Sequence, residues 1–80
     1  NMELGKTFDI ELNGIYRQAT LIDIIEYQQD KYAIYTIMND NNACDIYTSR
    51  VKIEANGQIQ FIGAASEGVR KYLLNLINKN

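Results

Sequence analysis

Two hydrophobic periodicities divide this chain, and the switch between them falls near Gly63. Val69, Tyr72, Leu73, Leu76 and Ile77 recur at i, i+3, i+4, i+7 and i+8, which is one face of an α-helix. Almost everything before Gly63 alternates apolar and polar residues at period two, as half-buried strands do. A run of strands closed by one amphipathic helix defines an α+β chain. The expected fold is a four- or five-stranded antiparallel meander with the C-terminal helix packed on one face.

Length bounds what such a fold can hold. Eighty residues make a single domain with a small core. A chain of this size buries only about 60–65% of the surface that its unfolded form exposes, so a deep cleft with a full catalytic constellation is hard to accommodate. No apolar run approaches the roughly 20 residues needed to cross a bilayer, and residues 1–20 do not read as a signal peptide. Asn1 precedes Met2, so Asn1 is expected to be an expression remnant and Met2 the natural start. With one cysteine, Cys44, the chain can form no internal disulfide. Cytoplasmic residence is the default expectation, with no membrane partner.

The strands can be read in order. Phe8, Ile10 and Leu12 alternate with Asp9 and Glu11, and Asn13-Gly14 is a two-residue turn that hairpins favour. Ile15 to Tyr27 is long and contains Leu21-Ile22 and Ile24-Ile25, adjacent apolar pairs that flat alternation forbids. A β-bulge or strong coil near Ile22–Ile24 is expected to switch the face partway. A turn over Gln28 to Lys31 would pair Tyr27 with Tyr32, Ile25 with Ile34 and Ile24 with Tyr35. The third strand runs from Tyr32 to about Met38, Asn39 to Asn42 form a polar turn, and the fourth covers Cys44 to Glu54. A three-residue loop, Ala55-Asn56-Gly57, then pairs Ile53 with Ile59 and Val51 with Phe61, with Gly57 left-handed. Gly63 ends the fifth strand. Ser66 caps a helix whose first turn carries Glu67 and which reaches about Asn78.

The catalytic inventory is thin. Histidine is absent, which removes the commonest general base and metal ligand and rules out Ser-His-Asp and Cys-His arrangements. Cys44 reads as a small strand residue, with no adjacent cation to make its thiol reactive. Asn39-Asp40-Asn41-Asn42 with Asp45 resembles a calcium loop only superficially. Counted from Asp40, its sixth position is Asp45 rather than glycine and its twelfth is Val51 rather than glutamate. Gly63 and Gly68 match no phosphate-binding spacing. No catalytic residue, cofactor site or metal site is expected, and the chain reads as non-enzymatic.

Charge and tyrosine content point to binding instead. Residues 1–49 carry eight acidic and three basic side chains, and residues 50–80 two acidic and five basic, giving −5 and +3. That basic excess is thin for nucleic acid. Tyr27, Tyr32, Tyr35 and Tyr47 fall on paired strands and form the candidate interaction surface, because tyrosine is enriched in interface cores. The charges around them, Glu26, Asp30, Lys31 and Asp45, are net acidic and would repel a phosphate backbone. The function expected is a protein-interaction or regulatory module. The alternative is a small-ligand-binding domain or accessory subunit whose site another chain completes, with nucleic-acid binding further behind. A weak homodimer joined through opposite charges is also expected.

The stretches Ala19 to Tyr27, Lys31 to Tyr35 and Asp45-Ile46-Tyr47, with the Asn56-Gly57 turn, Phe61-Ile62 and the terminal helix, resemble a family of small bacterial proteins of unknown function called YrzB-like. The resemblance spans roughly Phe8 to Ile77, although the helix start Ala65-Ser66-Glu67-Gly68 is less acidic than is usual there. It implies a bacterial, cytoplasmic α+β domain and carries over no catalytic residue.

Overall fold

The computed structural model describes residues 4–79, so the expectation about Asn1 and Met2 lies outside the described residues. Five strands form one antiparallel sheet in the order β1-β2-β3-β4-β5: β1 Thr7–Leu12, β2 Ile15–Tyr27, β3 Asp30–Met38, β4 Cys44–Ile53 and β5 Ile59–Ala64. A helix, α1 Glu67–Asn78, follows. The fold is α+β, a curled five-stranded meander with its helix on one face.

Local chemistry sets most of the boundaries. Asn13 and Gly14 both adopt positive φ, 51° and 80°, and close the β1–β2 hairpin in two residues. Gly57, at φ 87°, takes the left-handed position of the last loop, where its N–H donates to the Glu54 carbonyl at 2.8 Å. The register there is the expected one, Ile53 opposite Ile59 and Val51 opposite Phe61. The Ser66 hydroxyl accepts from the Val69 N–H at 3.3 Å and caps α1. In the 39–42 turn, the Asn39 side-chain oxygen accepts from the N–H groups of Asn41 at 2.8 Å and Ala43 at 3.2 Å. This is Asx-turn chemistry, and it accounts for the Asn-rich run.

Three details differ from the sequence reading. First, β2 and β3 are joined by Gln28 and Gln29 alone, with Tyr27 opposite Asp30, Ile25 opposite Tyr32 and Ile24 opposite Ala33. The register is two residues away from the expected one, and a two-residue slide returns every side chain to its own face. Apolar matching therefore could not separate the two alternatives. Second, β5 carries a bulge at Ile62, because Arg50 faces Gly63 while Val51 faces Phe61. Third, Tyr72 is not buried in the helix stripe. It lies 43% exposed and stacks on Tyr27, while Leu74 joins the packed side.

The expected β2 bulge is present. Leu21 faces Tyr35 and Asp23 faces Ile34, which leaves Ile22 as the extra residue. It turns Ile22 and Ile25 toward the helix while Leu21 and Ile24 remain on the other side. Two apolar layers result. On the convex side, Leu73 sits fully buried against Tyr32 and Ile34, flanked by Val69, Leu76 and Ile77. On the concave side, Ala19, Leu21, Ala33, Tyr35, Ile37 and Val51 form the second cluster. Its two alanines have no exposed surface, and Phe8 lies directly opposite Ala19. Small side chains at the centre leave room for large rings from the edges.

Candidate functional site

Those rings organise the concave face. Tyr35 stands edge-on to Phe8 and to Phe61, each at a centroid distance of 5.6 Å, and stacks on Tyr47 at 5.7 Å. Phe8 and Phe61 stack on each other at 5.6 Å. They belong to the two edge strands, so the sheet has curled far enough for its edges to meet through side chains. Among the described residues, β1 pairs with β2 and β5 with β4, and no ladder joins β1 to β5.

The gap between these edges is a cleft of about 360 Å³. Ile10, Glu11 and Leu12 line one wall and Phe61 to Ala64 the other, with Tyr35, Tyr47 and Ser49 between them. A second hollow of about 260 Å³ continues from it past the shared residues Leu12 and Tyr47 toward Arg17, Ile37, Asp40 and Asp45. The Arg17 guanidinium lies 3.6 Å from the Asp40 carboxylate there, and Asp40 is almost fully exposed. Such a pair adds little stability but places both signs of charge at that mouth.

One polar contact lies within the apolar floor. The hydroxyls of Tyr35 and Ser49 are 2.7 Å apart, and either can donate. Burial pushes the Tyr35 phenol above its ordinary pKa, the Ser49 bond pulls it down, and Tyr47 pushes it up. A phenol bonded to an alcohol supplies no base to activate either oxygen. The pair fixes ring orientation and offers a hydrogen bond, and it does not assemble a nucleophile.

The four tyrosines singled out from sequence do not share one surface. Tyr35 and Tyr47 lie opposite one another on the concave face. Tyr27 and Tyr32 lie on the convex side, under and beside the helix. Tyr35 and Tyr32 are buried, at 3% and 7% exposure, so of the four only Tyr47 and Tyr27 reach the surface to a useful extent. Sequence reasoning missed Phe8, Phe61 and Ser49 as members of the concave cluster. Their alternation in β1, β4 and β5 marks a shared face, but no local signal brings the first strand to the fifth.

Among the described residues, no His, Cys, Asp or Glu cluster could hold a metal ion, and no helix is long and apolar enough to cross a membrane. Cys44 is a free, exposed thiol at the start of β4. No family model matches the chain, and no curated protein or solved structure matches it.

Proposed function

We propose that this protein is a non-enzymatic protein-interaction module, consistent with the bacterial, cytoplasmic setting that its family resemblance implies. One observation carries the reading. The concave face presents Ile10, Leu12, Tyr47 and Phe61 along a cleft that is left uncovered among the described residues, with the Tyr35–Ser49 hydroxyl contact in its floor. An uncovered aromatic surface with a polar rim is what partner-binding patches provide.

Affinity capture from a native lysate, followed by cross-link mapping, tests the proposal. The expected result is a reproducible protein partner whose cross-links fall around Leu12 and Tyr47. Recovery of nucleic acid alone, with binding that weakens steeply as salt rises, would overturn it.

A second reading is supported by cleft size. At about 360 Å³, the cleft falls within the range of roughly 300–1,000 Å³ typical of small-ligand sites, which are likewise mostly apolar with few polar groups. Under this reading Tyr47 and Phe61 would sandwich a flat apolar molecule, and a screen for raised melting temperature would find such compounds.

A further inference from the structure

We infer that β1 is an open pairing edge that accepts an extended basic–apolar peptide strand, whose inward side chains fill the cleft between β1 and β5. This deepens the interaction-module reading and rests on it.

The topology supplies the opening. Every neighbouring pair in the meander is antiparallel, so β1 and β5 run in the same direction. Among the described residues they face each other across the cleft without a ladder. A strand entering between them runs antiparallel to both, which continues the alternation of the sheet.

The two edges are not equivalent. β5 is interrupted by the bulge at Ile62, and a bulged edge disrupts ladder pairing. β1 pairs with β2 through six consecutive residues without a register shift. Alternate residues of such a strand turn their N–H and C=O groups away from the existing partner.

The side chains then specify what fits. β1 shows strict alternation: Phe8, Ile10 and Leu12 are half-buried on the concave side, while Asp9 and Glu11 are exposed on the other. β5, from Ile59 to Ala64, carries no charged residue at all, so the outer rim of the gap is acidic. A second β1 in this position would set carboxylates beside carboxylates, which discourages pairing between two copies. A strand with Lys or Arg outward and branched apolar residues inward meets opposite charge outside and Ile10, Leu12 and Phe61 inside.

The probe is a short synthetic peptide alternating valine with lysine, titrated into the isotopically labelled full chain at low salt. Amide shifts are expected to concentrate on Thr7–Leu12 and on Tyr47 and Phe61. The Asp9→Lys/Glu11→Lys variant should bind about ten-fold more weakly, since two rim attractions become repulsions. Both positions are exposed, and an unchanged melting temperature would show that this variant keeps its fold. The same peptide with alternate amides N-methylated should not bind. Shifts confined to the helix, equal binding by the N-methylated peptide, or no binding at millimolar concentration would each overturn the assignment. So would an intermolecular backbone ladder on β1 in the protein alone, read as amide exchange at Thr7–Leu12 that slows on raising protein concentration even at high salt, because the occupant would then be a second copy. If the charge-reversed variant still captures the same cellular protein as the wild type, the β1 assignment fails and the module reading stands.

Discussion

Phe8 and Phe61 stack with their planes 22° apart and centroids 5.6 Å apart, although their strands form opposite edges of a five-stranded sheet. This contact reports how tightly the sheet is curled. Tyr35, from the central strand, braces both rings edge-on. A double-mutant cycle on Phe8→Leu and Phe61→Leu should give a coupling of about 0.5–1.5 kcal/mol, typical of aromatic pairs. Urea denaturation of the four proteins measures it. Strictly additive losses would mean that the two edges do not meet in solution.

Leu73 is the side chain that fixes the helix to the sheet. It has no exposed surface, and it packs where Tyr32 and Ile34 are also buried. Leu73→Ala should destabilise the fold by about 2–5 kcal/mol. Tyr72→Ala, one residue away, should cost only about 1 kcal/mol, since Tyr72 contributes a partly exposed stack on Tyr27. Chemical denaturation that ranked the two variants in the opposite order would reassign the packed face of α1.

The Gln28-Gln29 turn holds two side-chain-bearing residues at φ 51° and 73°, where glycine and asparagine are favoured. Left-handed backbone costs an ordinary residue about 1–2 kcal/mol. Replacing the pair by the Asn-Gly found at positions 13–14, through Gln28→Asn and Gln29→Gly, should raise stability by about 1 kcal/mol. A fall in the melting midpoint would show that Gln28 or Gln29 makes an interaction worth more than the strain.

That turn also marks where sequence stops being legible. Asn13-Gly14, the Ala55-Asn56-Gly57 loop and Ser66 announce themselves, because each meets a strict backbone requirement with a residue suited to it. Gln28-Gln29 meets the same requirement with residues that carry no such signature, so apolar matching alone leaves the β2–β3 register open to a two-residue slide. The switch of face within β2 was readable from Leu21-Ile22 and Ile24-Ile25. Its counterpart at Ile62 carries the same mark, the adjacent apolar pair Phe61-Ile62, but so near the end of a six-residue strand a single pair does not separate a bulge from the strand's end. For the candidate site, Tyr32 and Tyr35 are three apart on one strand and so belong to opposite faces, which was implicit in the spacing. The curl that brings Phe61 to Phe8 depends on twist accumulated over five strands and on Ala19 and Ala33 leaving space. No window along the chain contains that information.

Tyr35 gives the fold a defined alkaline weakness. Its phenol is held protonated above the ordinary value of 10.0, chiefly by burial. As pH rises past 10, the unfolded chain releases this proton while the folded chain retains it. The unfolded state then binds fewer protons, and stability falls with rising pH. Below the ordinary tyrosine value the contribution is constant. Tyr35→Phe should therefore flatten the decline above pH 10. At neutral pH it should cost about 1–3 kcal/mol by leaving the Ser49 hydroxyl without its partner. Melting curves across the alkaline range test both effects, and an unchanged slope in the variant would assign the decline to other groups.

The chain halves of −5 and +3 are interleaved in space, since Glu26 sits opposite Lys31 and the Arg50 and Lys52 strand lies next to β3. Asp9 and Glu11 form an exposed acidic row on β1, and Lys71 is an exposed cation on α1. Contact between these surfaces joins the edge of one molecule to the helix of the next, with no deep apolar burial to strengthen it. A weak association that loosens as salt shortens the screening length to about 10 Å or less is the outcome this geometry favours. Sedimentation velocity at low and high salt measures it. A strict monomer at high protein concentration and low salt would mean that the charges on β1 keep copies of the chain apart and leave that edge free for a different strand.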